Sequence, residues 1–247
     1  MLILLPPSET KREGGGSDFF DVRRLRFPSL NVTRQRLVGE LQSLALDEEA
    51  SLRALKLSRR QLGEVNRNRE LTVSGTMAAI DRYTGVLYDA LDARSLPPEA
   101  RAFAGQHLVI QSALLGPVGA LDEIPAYRLS HDSRLPGVQL AKVWAPLAPH
   151  EIGADGQLVL DFRSEAYVAL SPVADRGNSW FLRVVAGSPD GQVRALNHFN
   201  KKSKGVLTRA LLLHGRPLST VDEVFAVARD AGLRVEPGEA GEIRMVV

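Results

Sequence analysis

The run Met1-Leu2-Ile3-Leu4-Leu5, which stops at Pro6-Pro7, decides the fold class of this chain. Five consecutive apolar residues without polar alternation indicate a strand that is buried on both faces. The run is too short for the apolar part of a secretory signal and has no basic residues before it, so we interpret it as a first strand. Two later runs, Leu108-Val109-Ile110 and Leu158-Val159-Leu160-Asp161-Phe162, have the same character. Together these runs predict the buried centre of a sheet.

Helical and hairpin patterns surround these strands. Apolar spacing and capping residues predict helices over residues 33–46, 48–57, 58–67, 74–91, from 97 onward, and over 206–213 and 221–231. Residues 134–151 are predicted to be helical until Pro146 and Pro149 interrupt them. A hairpin is predicted for 181–186 and 192–199 around the turn 188–191, and a closing strand for 243–247. Strands and helices mix without regular β-α-β alternation. We therefore expect a mixed α/β (α+β) fold, in which residues 1–247 form a single compact domain with a mixed central sheet surrounded by helices.

The composition excludes several classes of chemistry. The hydrophobic fraction of 44% and the charged fraction of 24% are typical of a folded protein. The chain has no cysteine, which rules out disulfides, thiolate chemistry and cysteine-ligated metals. This usage fits the reducing cytoplasm. No apolar run approaches the length of a membrane span, so no membrane partner is expected.

Positive charge is concentrated in two windows of the sequence. Residues 53–69 carry a net charge of +5 and residues 194–216 a net charge of +6, whereas the whole chain carries +2. The basic residues of the first window are Arg53, Lys56, Arg59, Arg60, Arg67 and Arg69. Such segregation favours a polyanionic partner. The alternative is that both windows are solvated faces that point in different directions.

The second window contains the run Asn197-His198-Phe199-Asn200-Lys201-Lys202-Ser203-Lys204-Gly205, between a strand-like and a helix-like segment. Lysines at a helix N-terminus are unfavourable by about 0.3–1 kcal/mol each. The same position, with its free backbone N–H groups, binds anions well. Arg209 extends the basic face of the predicted helix. The run therefore predicts a phosphate or carboxylate site, with an ordinary solvated turn as the alternative.

The first window spans two short helices that join tightly at Lys56-Leu57-Ser58. A helix-hairpin-helix-like pair of this kind can lay backbone amides and basic side chains along a phosphate backbone. Helix pairs are common and this joint lacks glycine, so a purely structural pair is also open.

Motifs of the common enzyme classes are absent. The sequence has no G-x-x-x-x-G-K-[ST] loop, no G-x-G-x-x-G after a strand and no G-x-S-x-G elbow. Its five histidines show no metal-ligand spacing, so neither a metal nor a cofactor is expected. Polar residues after predicted strand ends could still form a pocket. In it Lys11, Arg128 and Lys201/Lys202 would bind an anion, and Glu165 or His198 would move protons. Each of these residues alone is also typical of a cap or a surface charge.

Five segments in colinear order carry a resemblance to a known family. They are the first strand with the loop Pro7-Ser8-Glu9-Thr10-Lys11, the segment Tyr83-Thr84-Gly85-Val86-Leu87-Tyr88, the segments Gln106-His107-Leu108 and Ser112-Ala113-Leu114-Leu115-Gly116, the stretch from Leu121 through Pro125-Ala126-Tyr127-Arg128-Leu129, and Phe199-x-Lys201-Lys202-x-Lys204-Gly205 with Arg209. Over nearly its whole length the chain resembles the YaaA family of peroxide stress response proteins.

The resemblance implies a cytoplasmic protein that limits hydrogen peroxide damage and is linked to lower free intracellular iron. It also implies a helix-hairpin-helix-like element, at residues 52–69 here, and a basic cleft that binds double-stranded DNA. Lys204 stands where the family commonly has arginine, which weakens bidentate phosphate recognition. We therefore expect weak, non-specific and salt-sensitive DNA binding.

Three hypotheses follow from the sequence. The first is a DNA-binding peroxide stress protein with an indirect effect on iron, which is favoured mainly by the resemblance. The second is an enzyme whose cationic pocket accepts a small phosphorylated or carboxylated substrate. In the third, the basic windows contact an acidic protein partner.

Overall fold

The computed structural model describes residues 1–16, 18–174, 177–185 and 196–247, with only the backbone described for residues 196–198. The strands within these ranges are β1 (Leu2–Leu5), β2 (Met77–Ala78), β3 (Leu108–Ser112), β4 (Gly116–Gly119), β5 (Glu123–Ile124), β6 (Val159–Asp161), β7 (Ser179–Val185), β8 (Val235–Pro237) and β9 (Glu242–Val246). The α-helices are α1 (Asn31–Leu44), α2 (Glu48–Leu55), α3 (Leu62–Arg69), α4 (Ala79–Arg82), α5 (Val86–Leu91), α6 (Pro98–His107), α7 (Leu140–Trp144), α8 (Ala148–Glu151), α9 (Glu165–Leu170), α10 (Leu196–His214) and α11 (Val221–Asp230).

Seven of these strands form one mixed sheet in the order β4-β3-β1-β6-β7-β9-β8. The five inner strands are parallel to one another, and the edge strands β4 and β8 are antiparallel to their neighbours. β1 lies near the middle, where Leu4 pairs with Val109 on one side and with Asp161 on the other. The predicted mixed α/β fold with a mixed central sheet is confirmed.

Both faces of β1 are buried, which explains its unbroken apolar sequence. Ile3 and Leu5 point into the large core, whereas Leu2 and Leu4 join a smaller cluster on the opposite face with Val109 and Ile152. The alternation follows from the two-residue period of a strand. The runs that predicted β3 and β6 are buried in the same way.

Several predicted helix boundaries are also confirmed. Helix α6 begins at Pro98, where a proline fits the first turn. Helix α11 begins after Thr220, whose side chain forms a capping box with Glu223. The pair α2 and α3 is present, and Ser58 and Gln61 form a capping box on the short 3-10 turn that precedes α3. Its correspondence to a DNA-binding helix-hairpin-helix remains a prediction.

The predicted helix over 74–91 is wrong. Residues Met77–Ala78 instead pair with β5, and Gly85, with a φ of +98°, separates α4 from α5. The predicted helix within 134–151 is reduced to the short helices α7 and α8. Pro146 separates them as predicted, whereas Pro149 lies in the first turn of α8, where a proline is tolerated.

The predicted second hairpin strand is wrong at its end, since residues 196–199 open helix α10. The turn 188–191 and residues 192–195 lie outside the described ranges. Because α10 begins at Leu196 and not near Val206, the three lysines lie inside the helix and do not precede it. In the described ranges, no helix is long and apolar enough to cross a membrane.

Candidate functional site

The loops that follow β1 and β6 meet at the carboxyl edge of the parallel strands. From β1 the chain proceeds to β3 on one side of that strand, and it later returns to β6 on the other side. Such a change of direction leaves a crevice outside the carboxyl ends of the strands, and this crevice is where open α/β sheets bind ligands.

A cleft of about 870 Å³ opens at this edge. Its walls come from the loop after β1, the start of α5, the loop at Ser130, the start of α9, strand β7 and helix α10. Of the residues predicted to form a cationic pocket, Lys201 and Glu165 line the cleft directly, together with Lys204. The fold thus brings Glu165 and Lys201 together in one cleft, although they come from distant segments of the sequence.

Lys204 is the unusual residue of this wall. It is only 6% exposed, and its Nζ donates a hydrogen bond to the backbone oxygen of Arg163 at 3.1 Å. Its Nζ also lies 5.5 Å from the centre of the Phe181 ring. Among the described residues, no carboxylate lies within ion-pair distance of this amine. Burial lowers the pKa of Lys204 to about 8, although Asp161 nearby favours the charged form.

The position of the lysines depends on Gly205. A Cβ atom at this residue would lie 2.2 Å from the backbone oxygen of Leu87 and 2.9 Å from Cβ of Ala90. Only glycine therefore lets α10 approach α5 this closely. Lys201 and Lys204 lie three residues apart, so they share the helix face that lines the cleft.

A buried ion pair supports the wall from behind. The Arg163 guanidinium binds both carboxylate oxygens of Asp161, at 2.8 and 2.6 Å, and both side chains are almost completely buried. Arg163 also donates to the backbone oxygen of Ser171 at 2.6 Å and to Gln111 at 3.4 Å. The pair thus ties the ends of β6, β3 and α9 together and fixes the carbonyl group that holds Lys204. This pair was not predicted from the sequence, where its signal is an aspartate inside an apolar strand with an arginine two residues later.

Lys11 lies beneath the loop after β1 and not on the cleft surface. Its Nζ donates to the backbone oxygens of Ser8 and Glu9, at 3.1 and 3.3 Å, and lies 4.1 Å from the centre of the Tyr127 ring. Burial, together with the positive charge of the neighbouring Arg128, lowers the pKa of Lys11 to about 7. At neutral pH a large fraction of Lys11 is therefore uncharged.

Arg128 reaches the cleft only through an acidic residue. Its Nη2 donates to the Glu9 carboxylate at 2.7 Å, and its buried Nε has no hydrogen-bond partner among the described residues. Glu9 lines the cleft. The predicted convergence of Lys11, Arg128 and Lys201 on one anion is thus reduced to Lys201 in the cleft wall, with the basic side chains of Lys11 and Arg128 below the floor of the cleft.

A chain of hydroxyl groups continues under this floor. The Tyr127 hydroxyl is 2.7 Å from that of Tyr83 and 2.6 Å from Oγ of Ser112. Ser112 in turn accepts hydrogen bonds from the backbone N–H groups of Leu114 and Leu115. Burial raises the pKa of Tyr127 to about 12, so its hydroxyl stays protonated at neutral pH. These hydrogen-bonded hydroxyl groups hold the segment after β3 and the segment before α5 in fixed positions relative to Lys11.

Most basic residues of the first window are neutralised by acidic neighbours. Lys56 pairs with Asp132 at 2.5 Å, and Arg59 pairs with Glu49 at 2.5 Å. Arg67 binds Glu13 and Glu64, and Arg69 binds Glu48. Arg53 and Arg60 are exposed, and no ion pair involves them within the described part of the chain. The net charge of +5 in sequence therefore overstates the free positive surface of α2 and α3.

The remaining predicted residues have separate positions. Lys202 is exposed and is not part of the cleft lining. Arg209 donates to the backbone oxygens of Leu91 and Asp92, both at 2.9 Å, and so caps the end of α5. The side chain of His198 lies outside the described residues.

Glu165, the other residue predicted to move protons, binds Arg183 at 3.3 Å, and Arg183 also binds Glu242. Across the described ranges, no group of three or more His, Asp or Glu side chains is arranged to hold a metal ion.

The fold and the site define a class: an open, mainly parallel α/β protein with a partly cationic cleft at the carboxyl edge of its sheet. Residues 1–238 match the family described as peroxide stress protein YaaA. The chain belongs to this family, as its sequence motifs predicted.

Curated relatives agree with this assignment. A UPF0246 protein of Corynebacterium glutamicum is 40% identical over 254 residues, which cover all of both chains. A UPF0246 protein of Streptomyces coelicolor is 40% identical over 242 residues, or 96% of this chain and 92% of the relative. The similarity therefore extends over all the elements that build the cleft.

Proposed function

We propose that this protein acts in the response to peroxide stress and does so in the cytoplasm. The description of its family supports the first part, and the absence of cysteine supports the second. Any effect on intracellular iron would be indirect, since the chain has no thiolate ligands. The test is survival after hydrogen peroxide treatment of a host that lacks its own family member. Wild-type protein should restore survival, and equal survival with and without it would contradict this role.

The molecular activity that the geometry favours is binding of a small phosphorylated or carboxylated molecule in the cleft. One observation carries this proposal: Lys204 is buried in the cleft wall without a carboxylate partner among the described residues. A buried ammonium group that makes no direct ion pair is costly, and the nearby Asp161 is already paired with Arg163. An anionic ligand that binds Lys204 and the exposed Lys201 would supply this direct partner.

The acidic residues of the cleft do not oppose this assignment. Glu9 is paired with Arg128, and Glu165 with Arg183, so both carboxylates have their charge compensated by arginine. Glu165 would still be able to transfer a proton to or from a bound substrate, and in that case the protein would act as an enzyme.

Isothermal titration calorimetry with ribose 5-phosphate and with inorganic phosphate tests the anion site. Lys201→Ala should weaken binding of ribose 5-phosphate about tenfold or more, because a charge-assisted hydrogen bond contributes about 1.5–3 kcal/mol. Lys142→Ala, at an exposed lysine of α7, is the matched control and should leave binding unchanged. Absence of binding by the wild type would refute the anion site.

A second candidate activity is non-specific binding of double-stranded DNA. The specific support is a set of exposed basic residues without ion pairs among the described residues: Arg53, Arg60, Lys201 and Lys202. Fluorescence anisotropy of a labelled duplex at several salt concentrations tests it. Affinity should fall steeply with salt and fall further in Arg53→Glu/Arg60→Glu and in Lys201→Glu/Lys202→Glu. An affinity that does not depend on salt would exclude this mode.

A further inference from the structure

Aromatic groups line the cleft beside its lysines. Tyr88, Tyr167 and Phe181 all contribute to the walls, and the ring of His131 lies 5.1 Å from that of Tyr167. The exposed His131 side chain leaves aromatic surface that a planar ligand could contact, whereas the half-buried Phe181 ring already has the Arg183 guanidinium and the Lys204 amine 5.5 Å from its centre. A small aliphatic phosphate or carboxylate would not use these surfaces, because stacking needs a flat partner.

Hydroxyl groups form a third feature of the cleft. Oγ1 of Thr10 lies 3.2 Å from Oγ of Ser8 and accepts a hydrogen bond from Thr84 at 3.0 Å. All three residues line the cleft. Such hydroxyls both donate and accept, as recognition of sugar hydroxyl groups requires.

The size and location of the cleft select among anionic ligands. Its volume of about 870 Å³ lies within the range of about 300–1,000 Å³ that is common for small-molecule sites. The crevice at the change of strand direction is the place where open α/β folds hold nucleotides. A cavity of this volume suits a single nucleotide and not a DNA duplex.

We propose that the cleft binds a free nucleoside monophosphate, with the phosphate at Lys201 and Lys204, the ribose near the Ser8, Thr10 and Thr84 hydroxyls, and the base against the aromatic wall. This assignment rests on the proposed anion site and adds the chemical class of its ligand. A nucleoside monophosphate would contact the lysines, the hydroxyl groups and the aromatic wall, whereas inorganic phosphate would contact only the lysines.

Calorimetric titration of the full-length protein with adenosine 5′-monophosphate, ribose 5-phosphate and adenosine tests the proposal. The nucleotide should bind at least about fivefold more tightly than ribose 5-phosphate, since stacking on an aromatic side chain is worth about that factor or more. Adenosine should bind much more weakly than the nucleotide. His131→Ala should weaken binding of the nucleotide without affecting ribose 5-phosphate. His150→Ala, at an exposed histidine of α8 outside the cleft lining, is the matched control.

The outcomes separate this proposal from the anion site on which it rests. Equal affinity for the nucleotide and ribose 5-phosphate would overturn the nucleotide assignment and leave the anion site intact. Binding of neither would overturn both. A single-stranded oligonucleotide with a 5′-phosphate should bind no more tightly than the free nucleotide. Tighter binding of the oligonucleotide would assign the cleft to a nucleic-acid end and overturn the assignment to a free nucleotide.

Discussion

Three buried charged residues, Asp161, Arg163 and Lys204, determine the geometry of the cleft wall. Lys204 is held by the backbone oxygen of Arg163, whose side chain is in turn held by Asp161. Each group takes its position from the next, so the position of Lys204 in the cleft wall depends on Arg163 and Asp161, neither of which lines the cleft. The sequence indicated the lysine but gave no direct sign of its supports.

Arg163→Met should lower the free energy of unfolding by about 3–5 kcal/mol, because Asp161 would remain buried without a counter-charge. Urea denaturation measures this change. The double variant Arg163→Met/Asp161→Leu should recover much of the loss, since an apolar pair needs no counter-charge. Arg23→Met removes an ion pair whose arginine is 79% exposed, so it should change the free energy of unfolding far less than Arg163→Met does. A similar small loss at Arg163 would contradict a supporting role.

Lys11 should make stability depend on pH in the alkaline range. Its pKa is about 7 in the folded chain and 10.5 in the unfolded chain, so between these values the unfolded state binds more protons. The free energy of unfolding of the wild type should therefore rise with pH from about 7 towards 10, relative to that of Lys11→Met. Arg128, Arg67, Glu9 and Glu64 face Lys11 and set the size of the effect. Urea titrations at pH 7, 8 and 9 measure it, and parallel curves for the two proteins would show an unshifted pKa.

Helix α10 is the element on which the site depends most. It carries Lys201 and Lys204 into the cleft, and Gly205 allows its close packing against α5. The sequence suggested a shorter helix, because the apolar periodicity is clear only after Val206. Before that point, Lys201 and Lys204 lie on the cleft side of the same helix, and Lys202 is exposed to solvent.

Gly205→Ala should destabilise the protein by about 1–3 kcal/mol, since the new methyl group would overlap the Leu87 backbone oxygen. The same substitution should weaken ligand binding, because displacement of α10 moves both lysines. Gly39→Ala in the middle of α1 is the matched control: no atom lies within 4 Å of its Cβ position. That variant should gain up to about 1 kcal/mol from helix propensity. Thermal denaturation compares the two, and a neutral Gly205→Ala would contradict tight packing at this contact.

Helices α2 and α3 form as predicted, but they carry less unpaired positive charge than the sequence indicated. Both helices were expected from the sequence, but their arginines contact acids that are distant in sequence or lie on a neighbouring turn, such as Glu13 and Glu48. Counting charges along a segment cannot detect such pairing, since the partners come from other elements.

At the scale of the whole molecule, the two ends of the chain share one sheet. β1 lies near its centre, and β9 lies beyond β6 and β7, so the sheet cannot form without segments from nearly the whole sequence. The cleft lies where these segments meet. We therefore propose that residues 1–247 fold as one unit.

One cooperative unit predicts that unfolding by urea has a single midpoint with every probe. Tryptophan fluorescence reports the buried Trp144 and the partly buried Trp180 on β7, and far-UV circular dichroism reports the helices. The two curves should coincide. Separate midpoints would show that part of the chain unfolds independently.

The sequence by itself determined the strands β1, β3 and β6, the start of α6 and α11, the absence of thiol chemistry and the family. These features are local: burial on both faces leaves an unbroken apolar run, and a helix cap is complete within four residues. Only the tertiary structure decided which lysines reach the cleft and which arginines are neutralised. It also decided that Lys204 binds the backbone oxygen of Arg163, whose side chain is paired with Asp161. Those properties depend on partners tens of residues away, such as Lys204 with Arg163 or Arg128 with Glu9. Sequence spacing does not determine such contacts, because only the folded sheet brings the carboxyl ends of its strands together.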